Sequence, residues 1–488
     1  MQQVLLVFPI PSDEQTGVTP PLSILYVGAF LEKAGISVSY IDLRIHSLND
    51  LKAELEREPS IVGISSMTGY QLKGTIDVLE RVRNYSPEII TVLGGVHASL
   101  LPHQTISDPR VDFVVVGEGE ETMVELYEAL DTNKSEFSNI LGLGWKKDEV
   151  QSVINENRPF IDLSKSVPPI TSSSVGLYDY YPLGKVQMSR GCPHRCAFCY
   201  NSSFNRRKYR VKPLDTIESE IQVIKRFVPR LKHFTLLSDN IGRKKENLMD
   251  IAKLCSKHEF TFHTAIRPEF ITEDLLAGLE GTCESLFFGI ETLVPRLRKI
   301  ITKDNTVDDV KRTVQMLSHS SIKAYYSYMT GFPTETKEET IATMDFIDYS
   351  KKIDPKCIVT PLFLLTAYPG TELYSYSLKN GFKEPATLSQ WCGFGLGQVT
   401  SPWIDKEDEY FTDLYGISLL IYTDPKEYRG TPFEMELFTY LQEKANKLWL
   451  ERRFEFKKEL RIFNVYNKQF KQLQLKDYSS ELSIASVD

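Results

Sequence analysis

The stretch Ser189–Asn201 reads Ser-Arg-Gly-Cys-Pro-His-Arg-Cys-Ala-Phe-Cys-Tyr-Asn. Its cysteines, Cys192, Cys196 and Cys199, follow the spacing Cys-x3-Cys-x2-Cys. Three thiolates on one short loop can each ligate one iron of a 4Fe-4S cubane and leave the fourth iron open. An amino acid that chelates the open iron through its amine and carboxylate is then held for electron transfer. Zinc is the competing reading, but structural zinc takes four ligands, usually in two separated pairs, and His194 is the one extra candidate inside the loop. Gly191 and Pro193 suit a tight loop. Phe198 and Tyr200 flank the last cysteine, where they would shield a cluster and touch a ligand's aromatic ring.

Working outward, short apolar runs alternate with helical periodicity. Val186–Met188 leads into the cysteine loop as a strand, and further strands are expected at His233–Leu237, Thr261–Ala265, Ser285–Ile290, Ala324–Met329 and Ile358–Leu364. Helices are expected between them. Six β-α units are fewer than the eight of a closed barrel, so residues 183–372 are expected to form a partial (β/α)6 TIM-like barrel. In Tyr325–Met329 the side chains of Tyr326 and Tyr328 share one face. If that face points inward, Tyr328 is a candidate catalytic residue; packing between barrel and helices is the alternative.

Here the chain resembles the radical S-adenosylmethionine enzymes, whose signature is this cysteine spacing with an aromatic residue before the last cysteine. Five further segments match in order. Leu236–Asn240 sits where many members carry an acidic pair, with Ser238 replacing the first acid and Asp239 left to orient the methionine amine. Phe262–Glu269 places Arg267 near the methionine carboxylate. Gly289-Ile290-Glu291-Thr292 places Glu291 near the ribose or amine. Gly331-Phe332-Pro333-Thr334-Glu335 and Tyr368-Pro369-Gly370-Thr371 resemble the turns after strands five and six. The resemblance implies S-adenosylmethionine as cofactor and an external electron donor such as flavodoxin or ferredoxin.

Residues 1–135 alternate in the same way, with fully apolar strands at Val4–Pro9, Ser37–Asp42, Ile61–Ser65, Ile89–Gly94 and Phe113–Gly117. Such strands form a doubly wound parallel sheet, Rossmann-like, with ligands beyond the carboxyl ends. Small and polar residues collect at those ends: Ser65, Ser66, Met67, Thr68 and Gly69; Gly94, Gly95 and His97; Gly117, Glu118, Gly119 and Glu120. Glycines there let a bulky ligand approach the backbone. With Pro20, Pro21 and Leu22 these segments resemble the cobalamin-binding domain that precedes some radical S-adenosylmethionine barrels. The resemblance implies a corrin over the strand ends and a dimethylbenzimidazole tail between sheet and helices. The cobalt-ligating pattern Asp-x-His-x-x-Gly is absent: Asp42-Leu43-Arg44-Ile45-His46 has the wrong spacing, so His46 reads as a capping or surface residue.

Residues 136–182 read as a linker with a short β excursion around Ile140–Trp145, and 373–488 as a mostly helical cap over the barrel mouth, with a polar tail at Lys468–Asp488. A net charge of -8 argues against nucleic acid or an anionic membrane as partner. No apolar stretch approaches the roughly 20 residues that span a bilayer. No leader is evident at the start, so a cytoplasmic protein is expected. Cys255 and Cys283 read as core residues, while Cys357 and Cys392 are ambiguous. The resulting expectation is C-methylation of an unactivated carbon in a secondary-metabolite or peptide substrate, through a 5′-deoxyadenosyl radical and methylcobalamin. Cyclisation, ring contraction, epimerisation or rearrangement without net methyl transfer is the alternative on the same architecture.

Overall fold

The computed structural model describes residues 3–10, 18–132, 136–148, 150–241, 245–394, 401–404, 410–423, 431–456 and 459. The tail expected at Lys468–Asp488 lies outside the described residues. Two parallel sheets carry the structure, as the two alternating patterns predict.

The first sheet contains β1 (Val4–Phe8), β2 (Val38–Asp42), β3 (Ile61–Ser65), β4 (Ile90–Gly94), β5 (Phe113–Val115), β6 (Leu143–Lys146) and β7 (Ser152–Ile154). Its order is β2-β1-β3-β4-β5-β6-β7. The first five strands are parallel, and β6 and β7 join antiparallel. The β excursion expected in the linker is therefore an extension of the first sheet, built by a hairpin that needs no crossover helix. Alternate residues serve opposite faces: Val4 and Leu6 enter one core, Leu5 and Val7 the other.

The second sheet contains β8 (Gly184–Gln187), β11 (His233–Leu237), β12 (Thr261–Ala265), β13 (Cys283–Glu291), β14 (Lys323–Thr330) and β15 (Ile358–Leu364). Between its first two strands lies a hairpin of β9 (Ser189–Arg190) and β10 (Arg210–Val211). All six strands of the sheet pair parallel in sequence order, and β8 and β15 remain as edges, which is the open barrel expected. Cys255 and Cys283 are fully or nearly fully buried, as expected of core residues.

The C-terminal part departs from the cap expected over the barrel mouth. Helix Tyr410–Tyr422 packs along the open edge strand β15, where the Leu362 N–H donates to Ser418 Oγ at 2.9 Å. Helix Pro432–Leu450 backs it, and Trp449 Nε1 donates to Asp348 at 2.9 Å. An unpaired parallel edge exposes backbone polar groups, so covering it is the stronger demand on this amphipathic segment. Helices Glu372–Lys379 and Leu388–Trp391 pack elsewhere, with Tyr374, Leu388, Trp391 and Phe394 completing one core face of the first sheet. The short stretch 401–404 does reach a barrel strand end, where Trp403 Nε1 donates to Gly331 O at 2.9 Å. Among the described residues no helix is long and apolar enough to cross a membrane.

Trp391 is fully buried and its indole N–H donates to Gln104 of the first domain. Trp391→Ala is expected to cost about 3–5 kcal/mol of stability. Urea unfolding checks this, and a loss well below that range would mean that the segment rests on the first domain without stabilising it.

Candidate active site

The cysteine loop runs between β9 and β10. Gly191 opens it with φ +86, and a Cβ there would lie 1.9 Å from the Lys208 carbonyl oxygen, so only glycine fits. The Gly191 N–H donates to Asp239 Oδ2 at 2.7 Å. Ser189 Oγ lies 2.5 Å from Ser238 Oγ. Ala197 bridges to the barrel through its N–H to Ile301 O at 2.9 Å and its carbonyl from Leu373 N at 3.0 Å. Asp239 and Ser238, expected near a bound methionine, thus hold the loop's entry.

The three loop thiols are unpaired and half-buried. Burial pushes the Cys192 thiol up and the Cys199 thiol up to about 12, and the neighbouring cysteines add to both shifts. Thiols whose ionisation burial discourages, as at Cys192 and Cys199, call for a cationic centre to hold them as thiolates. Among the described residues no group of three or more His, Cys, Asp or Glu is placed to hold a metal ion. A cubane takes one thiolate at each of three irons, so its ligands stand further apart than those of a single ion, and three unpaired thiols on one loop supply that ligand set. Phe198 packs into the small core formed by Ala197, Leu297, Phe332 and Leu373. His194 Nδ1 lies 2.6 Å from Asp304 Oδ2.

A cavity of about 640 Å³ lies between the strand ends of the first sheet and this loop. Of the residues expected to hold a cofactor, it is lined by Pro20, Leu22, Ser65, Ser66, Gly94, Gly95, Gly117, Glu118, Gly119, Glu120, Tyr200 and Asp239. Leu6, Gly63, Val92 and Met123, from the sheet and the helix Glu120–Asp131, also line it. Gly63 leaves room there, since a Cβ would lie 2.8 Å from a Leu6 methyl. Small residues at the strand ends beside the apolar Leu6, Val92 and Met123 suit a bulky, partly apolar corrinoid. Gly63 was legible as a lone glycine inside an apolar strand, which marks a close approach.

Arg190 also lines the cavity and had no role in the sequence reading. Its guanidinium meets Glu118 at 3.0 Å and Glu120 at 2.7 Å, while Arg210 meets Glu118 at 2.6 Å. The Ile161 N–H gives Glu118 a further bond at 2.9 Å. Burial alone would raise the Glu118 carboxyl, but the charges of Arg190 and Arg210 outweigh it and hold it below the usual carboxylate range. Glu118 and Glu120, expected as cofactor contacts, therefore spend their carboxylates on joining the two domains. A second buried link stands beside it: Tyr26 donates to Glu220 at 2.7 Å, and Lys212 Nζ reaches Glu220 at 2.7 Å and Tyr26 at 3.0 Å.

Five other expected site residues lie outside the cavity. Thr68 Oγ1 is 3.0 Å from His97 Nδ1, and the fully buried His97 ring packs edge-on against Trp391 at 5.8 Å. His97 serves the contact with the C-terminal segment, and Thr68 supports its ring. Tyr328 is buried toward the helix Lys337–Ile353, its hydroxyl 3.3 Å from Ser350 Oγ and its ring against Phe346. This is barrel-to-helix packing, not a catalytic position. Arg267 is paired with Glu269 and Asp304, and its Nη1 lies 4.0 Å from Cys196 Sγ. Glu291 ends β13 in a left-handed conformation, φ 69, with Lys303 Nζ at 3.0 Å. Of the ambiguous thiols, Cys357 is buried, and Cys392 Sγ donates to Leu388 O at 3.6 Å within the first-domain core.

Burial lowers the His97 pKa to about 4, and its Nε2 has no hydrogen-bond partner. An unfolded histidine titrates near 6.5, so the unfolded chain takes the proton first. Stability from the neutral ring is complete above about pH 6.5 and falls by about 1.4 kcal/mol per unit as pH drops toward 4. Urea midpoints across that range should show this slope, and His97→Gln should flatten it. Arg190→Gln, which leaves buried Glu120 without a cation, is expected to cost about 3–5 kcal/mol by the same measurement.

Two family models match the chain: the B12 binding domain over residues 13–127 and the radical SAM superfamily over residues 186–347. An uncharacterized methyltransferase of Pyrococcus horikoshii is 30% identical over 398 residues, 78% of this chain and 84% of that protein. The anaerobic magnesium-protoporphyrin IX monomethyl ester cyclase of Rubrivivax gelatinosus is 27% identical over 355 residues, 67% of this chain and 61% of the cyclase. The structure of TsrM from Kitasatospora setae, a radical S-adenosylmethionine methyltransferase with cobalamin and a 4Fe-4S cluster bound, superposes with a TM-score of 0.66 at 17% identity. It covers 92% of this chain and 99% of TsrM, and shows the shared fold. With a B12-binding sheet, an open barrel and a three-cysteine loop, the chain belongs to the cobalamin-binding radical S-adenosylmethionine family.

Proposed function

We propose that the chain holds a 4Fe-4S cluster through Cys192, Cys196 and Cys199, takes S-adenosylmethionine at the open iron, and holds cobalamin at the edge of the first sheet. With these it methylates an unactivated carbon of a small-molecule or peptide substrate. The observation that carries this reading is the single cavity shared by Ser65, Ser66, Gly94, Gly95 and Gly117 on one side and Tyr200, Asn201 and Asp239 on the other. When bound, the cluster supplies the electron for reductive cleavage of S-adenosylmethionine, and the corrin supplies a transferable methyl group.

The chain's own share is placement and exclusion. Asp239 fixes the start of the cysteine loop through the Gly191 N–H. Arg190 ties that start to the Glu118-Gly119-Glu120 turn. Leu6, Val92, Val115 and Met123 keep water from the apolar wall of the cavity. Arg267, through its charge near Cys196, and Glu291, at a strained strand end, are the candidates for steadying the cluster and the nucleoside part of S-adenosylmethionine. A flavodoxin or ferredoxin would deliver the electron.

The likeness to the anaerobic cyclase supports a second reading, ring formation without net methyl transfer. A product one methylene heavier than the substrate favours methylation, and an unchanged carbon count favours the cyclase reading.

Anaerobic reconstitution followed by a visible spectrum tests the cofactors together. The expected result is sulfur-to-iron absorption and corrin bands in one protein. Cys196→Ala should lose the iron and keep the corrin bands. Full iron content in that variant would overturn the cluster assignment.

A further inference from the structure

A second cavity, of about 270 Å³, adjoins the first at Gly117, Glu118 and Phe204, which line both. Its other walls include Ser99, Asn157, Phe160 and Arg206. It is thus built from the first domain, the linker and the short helix Asn201–Phe204 that follows the last loop cysteine.

The charges on its walls are unevenly paired. Arg158 is spent on Glu121 and Glu125, Arg210 on Glu118, and Arg190 on Glu118 and Glu120. The carboxylate of Glu118, which also lines this cavity, is saturated by those two guanidiniums and the Ile161 N–H. Arg206 has no such partner among the described residues. Its guanidinium lies 4.0 Å over the Phe160 ring, with Arg210 4.2 Å from the same ring, and its Nη2 donates to the Arg158 carbonyl at 3.0 Å. The group is oriented by aromatic stacking and one backbone bond, while its remaining donors stay open.

The backbone beneath it is held in an unfavourable form. Arg206 and Arg207 have φ 48 and 57, left-handed values that are rare in two successive non-glycine residues. Such strain persists where the surroundings over-determine it, and it concentrates at ligand clamps. Here the turn brings the chain back from the cysteine helix to β10 and sets Arg206 at the cavity wall.

We propose that this second cavity is a subsite for an anionic group of the substrate, a carboxylate or phosphate, bound by Arg206. The inference rests on the proposed function, because the reacting end of that substrate would lie in the adjoining main cavity. A planar guanidinium with free donors recognises either oxyanion in two-pronged fashion. The phosphate of a corrin's nucleotide tail is the other source of the same chemistry, and cobinamide, which lacks that tail, separates the two.

The test uses the cofactor-loaded protein with inorganic phosphate as probe, followed by ³¹P line broadening. Phosphate binding that acetate displaces, and that weakens about tenfold in Arg206→Gln but less than about twofold in Arg207→Gln, is the expected result. Absence of phosphate binding in the wild type, or equal loss in both variants, would overturn the subsite. In a parallel arm, Arg206→Gln is titrated with aquacobalamin and with cobinamide, which lacks the nucleotide tail. Unchanged affinity for both is expected. Loss of cobalamin affinity with cobinamide affinity retained would reassign Arg206 to the corrin tail and overturn the proposal. The corrin bands and iron content of the wild type report separately on the proposed function.

Discussion

Arg190 is a charge removed from water, two residues before the first cysteine of the loop, and it is tolerable only because Glu118 and Glu120 of the other domain surround it. Two carboxylates around one guanidinium, with Arg210 balancing the second, bring the local charge close to neutrality. Neither side of this arrangement is stable alone in a dry seam, so the pairing sets how the first sheet faces the cysteine loop. The cavity between them, and any chemistry that needs both of its walls, depends on that relation. The Tyr26, Lys212 and Glu220 link repeats the solution further along the same seam.

Space is the second constraint. Gly95 lets the strand end pass close to the Ser66 backbone, and Gly63 leaves room beside Leu6, where a Cβ would lie 2.8 Å from its methyl. The barrel adds the opposite wall through Tyr200 and Asp239, which belong to the cysteine loop and the strand end that supports it. Open edges are dealt with locally: β6 and β7 extend the first sheet, and the helix Tyr410–Tyr422 covers β15.

Much of this was legible in the chain itself. Two patterns of apolar strands alternating with helices specify two parallel sheets, and residues at strand ends line the cavity because parallel strands all point their carboxyl ends one way. The cysteine spacing was equally plain, since ligands to one cluster must be neighbours on a short loop. What failed were readings that needed a side chain's direction. Tyr328 alternates correctly with its neighbours, yet periodicity alone cannot say which face of a barrel strand points inward. Thr68 and His97 stand among cavity residues in the sequence, but Thr68 bonds His97, whose ring packs on Trp391, a residue far away in sequence. Glu118 and Glu120 line the cavity as expected, but that Arg190 is brought against their carboxylates was not legible in the sequence.

The sequence by itself determined the strand-helix alternation, the three-thiol loop and the glycines at the strand ends, because each depends on residues that are close along the chain. Only the tertiary structure decided the pairing of Arg190 with Glu118 and Glu120, the docking of Trp391 on the first domain and the place of the C-terminal helices. These depend on which buried charges and apolar faces meet across the domain seam, and burial is settled by the whole chain at once.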